Sequence, residues 1–135
     1  MLCTSGRIEM SPLEALADGI MQFEGFHKDS RSWRNRNPGN LRPFQPTQAQ
    51  DGDGYRVFPS LALGWQALLD DLTAKFNGSH GLTPQSTLLD LFNLYAPAGD
   101  ANNPSAYTQF VCAWTTHALG KPVTPTTTLQ DYQVQ

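Results

Sequence analysis

Glu24 is the residue of this chain best placed for acid–base chemistry. It stands in IMQFEGFHKDS, residues 20–30, between two phenylalanines and before a glycine. The chain has three glutamates. Glu9 lies in a polar N-terminal segment and Glu14 belongs to a helix cap, so Glu24 alone has an apolar frame. A carboxylate at a helix C-terminus opposes the helix dipole, and an inward-facing position adds a desolvation cost. Both favour the protonated form, which a general acid needs. An ion pair with Lys28 or a nearby arginine would act the other way, and spacing alone leaves both readings open.

Other chemistry-bearing residues are few. Asp51 and Asp53 lie in QDGDGY, where each reads as a second acid or as a plain turn residue. DGDG hints at calcium, but no glutamate follows at the twelfth loop position, so no metal is expected. His27, His80 and His117 lack metal-ligand spacing. Cys3 and Cys112 show none either; two free thiols and one long-range disulfide remain the alternatives. Lys28, Arg31, Arg34, Arg36 and Arg42 follow Glu24 against a single acid, Asp29. They read as a basic rim for an anionic substrate or as a solvated loop.

These residues need a scaffold, and the length of 135 residues fits one domain, with a core over about 11–120 and a tail over 123–135. The formal charge of −3 gives no global attraction to nucleic acid or membrane, and no apolar run is long enough to span a bilayer. The N-terminus lacks the pattern of a signal peptide.

Ser11, Pro12 and Glu14 form a helix start, with Leu13, Leu16, Ala17 and Ile20 at helical spacing after it. Four residues further the stripe reaches Glu24, and Gly25 stops the helix. NLRPF and YRVF, joined by QPTQAQDGDG, predict a small β-hairpin. A second helix runs from Pro59-Ser60 with Leu61, Trp65, Leu68, Leu69, Leu72 and Phe76 on its apolar face. A third carries Leu88, Leu91, Phe92 and Tyr95 and ends at Pro97. A fourth starts at Asn103-Pro104, carries Tyr107, Phe110, Val111, Trp114 and Ala118, and closes at Gly120 and Pro122. The tail from Val123 reads as a surface segment, and no internal repeat is evident. The fold class is mainly α (α+β), with one hairpin after the first helix.

FEGF at a helix end, SRSWRNRNPGNLR, a hairpin and YRVFPSLALGWQALLDDL, in that order, resemble the lysozyme-like superfamily of bacterial cell-wall hydrolases. The nearest pattern is the glucosaminidase and muramidase type (glycoside hydrolase family 73-like), over about residues 11–76. TLLDLFNLYAPAGDANNPSAYTQFV resembles its helical remainder. The resemblance implies that Glu24 is the catalytic acid. It also implies that Asn37, Gly39 and Asn40 shape the sugar cleft, with Arg42 in the basic rim. Tyr95 and Tyr107 become candidates for sugar stacking or for bonding an N-acetyl group, or else core aromatics. The second acid departs from the family pattern, leaving Asp51 and Asp53 as candidates.

The implied reaction is cleavage of the β-1,4-linked N-acetylglucosamine/N-acetylmuramic acid backbone of peptidoglycan. An inverting route needs a second carboxylate; a route assisted by the substrate's own N-acetyl or hydroxyl oxygen needs Glu24 alone. The sequence leaves open which bond is cut. The expected protein is a monomer without cofactor, acting on peptidoglycan glycan strands in the periplasm or wall, with no nucleic-acid or membrane partner. It would be delivered by phage, by an envelope-spanning machine or as a type VI secretion toxin. A cognate inhibitor occluding the cleft would protect kin cells. The alternative is a non-catalytic wall-binding or virion module on the same fold. Weaker rivals are nucleic-acid binding through the Trp33 loop and a Cys3 peptidase lacking an assignable histidine.

Overall fold

Ser11 begins the first helix through a reciprocal cap. In a computed structural model of the chain, which describes residues 10–96 and 103–134, the Ser11 hydroxyl accepts the Glu14 N–H at 3.1 Å. The Glu14 carboxylate accepts the Ser11 N–H at 2.9 Å. Helix α1 spans Pro12–Phe23 and ends with Glu24 as its C-cap. Gly25 follows at φ +74°, a conformation that costs a glycine little. Its N–H bonds to Gln22 O, and the Phe26 N–H reaches Met21 O at 3.2 Å. This paired ending holds Glu24 at the last turn.

Side-chain oxygens cap the other helices too, with the reciprocal bond repeated at Thr87. Ser30 caps α2 (Arg31–Arg34), Ser60 caps α3 (Leu61–Phe76), Thr87 caps α4 (Leu88–Tyr95) and Asn103 caps α5 (Pro104–Leu119). Thr128 caps α6 (Leu129–Gln133). Helix α1 lies mainly against α5 and also touches α3, while α4 also lies on α5. The core is built from Leu16 and Ile20 of α1, Leu68 and Leu72 of α3, Leu91 and Phe92 of α4, and Val111 of α5, all fully buried. Burying each such side chain stabilises the fold by about 1.5–3 kcal/mol. The mainly helical class stands.

The expected β-hairpin is not formed. Among the described residues a single antiparallel bridge, Gln50 with Arg56, stands in its place, along with a bond from Arg56 N–H to Leu41 O at 2.9 Å. NLRPF cannot run as a paired strand, because Asn40 is left-handed at φ +48° and Pro43 has no N–H to donate.

The tail also differs from expectation. Val123, Leu129 and Tyr132 are buried, and the Tyr132 hydroxyl donates to Pro12 O at 2.6 Å, tying α6 to the start of α1. A polar average over the tail hid these three anchors. The tail also repeats an earlier segment: TPQSTLLD at 83–90 returns as TPTTTLQD at 124–131. The two copies face each other across a bridge between Thr87 and Thr128. Leu88 N–H bonds to Thr127 O while Leu129 N–H bonds to Ser86 O. Leu89 N–H likewise bonds to Pro125 O while Gln130 N–H bonds to Pro84 O. Each copy thus supplies carbonyls to the free N–H groups at the other's helix start. Helix α4 ends at Tyr95; Pro97, expected to stop it, lies outside the described residues, as do Cys3 and Glu9.

Helix α3 approaches the loop after α2 closely at Gly64, where an added Cβ would stand 1.9 Å from the Arg36 carbonyl oxygen. Gly64→Ala is therefore expected to destabilise the protein by about 2 kcal/mol or more. Gly52→Ala, where nothing lies within 4 Å, should change stability by no more than about 0.5 kcal/mol. Paired thermal or urea melts check both.

Candidate functional site

The NPGN turn carries the first partner of Glu24. Asn40 N–H closes the turn onto Asn37 O at 3.0 Å. The left-handed backbone that asparagine tolerates then turns the Asn40 side chain toward α1. Its Nδ2 donates to Glu24 Oε1 at 2.8 Å. From α5, the Tyr107 hydroxyl donates to the other oxygen, Oε2, at 2.6 Å. The carboxyl is half-buried and held at both ends. Asn40 Oδ1 is buried beside it without a hydrogen-bond partner.

Tyr107 is buried along its ring, against Phe23 at 4.1 Å and Phe92 at 5.1 Å between centroids. Burial pushes its phenol well above the ordinary tyrosine range, and the neighbouring Tyr95 and Glu24 add to the effect. The hydroxyl therefore stays a donor. Tyr95 donates to Gly39 O at 2.6 Å, and its phenol is likewise raised, by burial first and then by the charges of Glu24 and Asp71. A Cβ on Gly39 would lie 2.5 Å from that hydroxyl, so glycine is what lets α4 lock the turn. Tyr107 is thus a core aromatic whose hydroxyl holds the carboxyl, and Tyr95, packed against the core, braces the turn.

A groove of about 880 Å³ opens beside this cluster, lined by Glu24, Asn40, Arg42, Tyr55, Asp71 and Tyr95 among others. Arg42 sits over the Tyr55 ring at 4.2 Å and donates to the carbonyls of Asp53 and Gly54. Asn37 has another task. It is fully buried, donates to Leu41 O and Arg56 O, each at 3.0 Å, and accepts the Leu41 N–H. It stitches the turn to the loop and leaves no group facing the groove.

Asp51 and Asp53 do not line the groove. Asp51 organises its own loop: Oδ1 accepts the N–H groups of Asp53 and Tyr55, and Oδ2 accepts Asn35 Nδ2 at 2.8 Å. The bond from Asn35, followed by that from Tyr55, holds its carboxyl below the usual range. Asp53 is exposed and pairs with Arg31 at 2.8 Å. The aspartates that do line the groove are Asp70 and Asp71 on α3. Lys75 Nζ donates to both oxygens of Asp71, at 3.0 and 2.8 Å, although Lys75 is only 7% exposed. Sequence reasoning passed over this pair because an acid and a lysine four apart ordinarily mark a solvated helix face. The available signal is the spacing of Lys75, three residues after Leu72 and seven after Leu68, on the buried stripe of α3.

Among the described residues no group of His, Cys, Asp and Glu is arranged to hold a metal ion. Cys112 is buried in α5 and pairs with no cysteine among the described residues, and burial pushes its thiol up to about 11. No helix among the described residues is long and apolar enough to cross a membrane. Comparison of the chain with models of protein families, with curated proteins and with solved structures found no match.

A group held below its ordinary value stabilises the fold above the unfolded value of 3.8 and loses that effect as pH falls through the folded value. Asp51→Ala should therefore cost about 2 kcal/mol at pH 7 through its lost hydrogen bonds. The gap from wild type should narrow at pH 3 and below. Urea melts at both pH values measure it.

Proposed function

We propose that the protein is a peptidoglycan glycoside hydrolase of lysozyme-like fold in which Glu24 is the general acid. The observation that carries this reading is the clasped carboxyl of Glu24 in the groove wall, bonded by Asn40 from the turn and Tyr107 from α5. A clasp at both oxygens keeps the carboxyl from rotating away from a bound glycan, and its two donors stabilise the carboxylate that forms as the proton leaves.

Glycoside cleavage then follows from local parts. Glu24 protonates the leaving oxygen, and an oxocarbenium-like centre develops in the adjacent sugar. Asp70 and Asp71 are the groove carboxylates available to stabilise that centre or to activate water on an inverting route, Asp71 only on release from Lys75, which holds both its oxygens. The substrate's own N-acetyl oxygen serves on the assisted route. Arg42 meets the polymer's negative charge at the rim. Such an enzyme acts on wall outside the cytoplasm, whether carried by phage or injected as an effector. An inhibitor would insert acidic or amide groups between Glu24 and Arg42.

Glu24→Gln, close in shape, is expected to lower release of reducing ends from purified peptidoglycan by at least about 100-fold, with the fold retained in a thermal melt. Lysis near the wild-type rate would remove Glu24 from the reaction, and no activity in the wild type would favour a binding module. Tyr107→Phe keeps the ring packing but frees Oε2. It should reduce kcat by about tenfold with KM little changed, the pattern of an interaction that matters most in the transition state. Asp70→Asn and Asp71→Asn, each checked by a thermal melt because the second strips buried Lys75 of its partner, separate the routes: turnover lost in a folded variant supports the inverting one, and turnover retained in both supports the assisted one.

A further inference from the structure

A second groove, of about 460 Å³, lies beside the first, and Pro59 belongs to the walls of both. Its lining includes Phe26, Trp33, Arg34, Arg36 and Leu61, and no acidic side chain. Trp33 is 40% exposed and Leu61 46% exposed, so the groove presents apolar faces to solvent. Arg34 donates to the carbonyl of Asp29 and Arg36 to that of Phe58. These bonds hold the two guanidiniums without neutralising them. Neither makes an ion pair among the described residues, whereas Arg31 in the same helix is committed to Asp53. Of the loop's arginines, Arg31 and Arg42 are thus used in folding, and Arg34 and Arg36 are left with net charge beside an indole.

We propose that this groove is a subsite for the acidic peptide branches of the wall polymer, so that the substrate is peptide-bearing glycan in preference to the bare chain. The inference rests on reading the Glu24 groove as the glycan site. A glycan strand lying there sends its peptide sideways from the lactyl group of the muramic sugar, and the shared wall at Pro59 is a route for such a branch. Stem peptides combine free carboxylates with small methyl side chains. The planar fork of an arginine suits a carboxylate, and Trp33 and Leu61 suit the methyl groups.

The test has two arms. In the first, initial rates are measured on intact peptidoglycan strands and on strands stripped of peptide by an amidase. Wild type should prefer the peptide-bearing strands by about fivefold, the worth of two partly exposed ion pairs. The Arg34→Gln/Arg36→Gln double variant should bring that ratio close to one, and Arg34→Lys/Arg36→Lys should restore part of it. Thermal melts verify that both variants fold. In the second arm, a soluble stem tetrapeptide is titrated into labelled protein and the Trp33 indole N–H signal is followed. It should shift in wild type, less at high salt, and not in the Gln variant. Hydrolysis of both strands at equal rates with no indole shift would overturn the subsite while leaving the glycosidase reading intact. An equal shift with an unrelated all-L acidic peptide would overturn it in favour of a protein partner. A specific shift without hydrolysis would uphold the peptide subsite and defeat only the glycosidase reading.

Discussion

The placement of Glu24 depends on a hydrogen-bonded clasp whose parts come from three distant stretches of chain. Glu24 closes α1, Asn40 sits on a turn 16 residues later, and Tyr107 belongs to α5, 83 residues away. For the clasp to form, α1 and α5 must pack side by side and the NPGN turn must be pinned above them. The first condition is met by the Leu16, Ile20 and Val111 core and by Trp114, whose indole donates to Asp18 at 2.8 Å. The second is met by Tyr95 on Gly39 and by the buried amide of Asn37. In a half-buried setting these bonds are stronger than in water, and leaving any one partner unmatched costs more than the bond itself contributes.

The loop between α2 and α3 shows how a polar chain can be fixed without a sheet. Asn35, Asn37 and Asp51 satisfy backbone and side-chain groups that a β-ladder would otherwise have paired. Arg31 and Arg42 lie over the ring of Tyr55, at 4.4 and 4.2 Å, and tie the loop tip to the groove rim. A braced loop of this kind lets Arg42 stand at the mouth of the groove while Asp51 turns inward on its own backbone.

Much of this was legible in the sequence where the signal is local. The Ser11 cap, the stripe through Leu16 and Ile20, the stop at Gly25 and the resulting position of Glu24 all follow from short-range rules. Asn103-Pro104 and Gly120 bound α5 for the same reason. The misses are of another kind. The hairpin was read from strand-like residues, but the left-handed Asn40 and the proline within NLRPF outweigh strand propensity. The tail looks polar on average, yet Val123, Leu129 and Tyr132 dock it together with the backbone bonds of the Thr-Pro turns. The Thr-Pro repeat was overlooked because it is eight residues long and 41 apart. No local pattern could assign Tyr107 to Glu24, since that pairing exists only once the helices have packed.

The mirrored Thr-Pro turns have a mechanical consequence for the groove. They join α6 to the beginning of α4, while the Tyr132 hydroxyl joins α6 to the beginning of α1. Tyr95 and Glu24 stand at the opposite ends of those same two helices. One short segment thus ties together the starts of the two helices whose ends carry the groove residues.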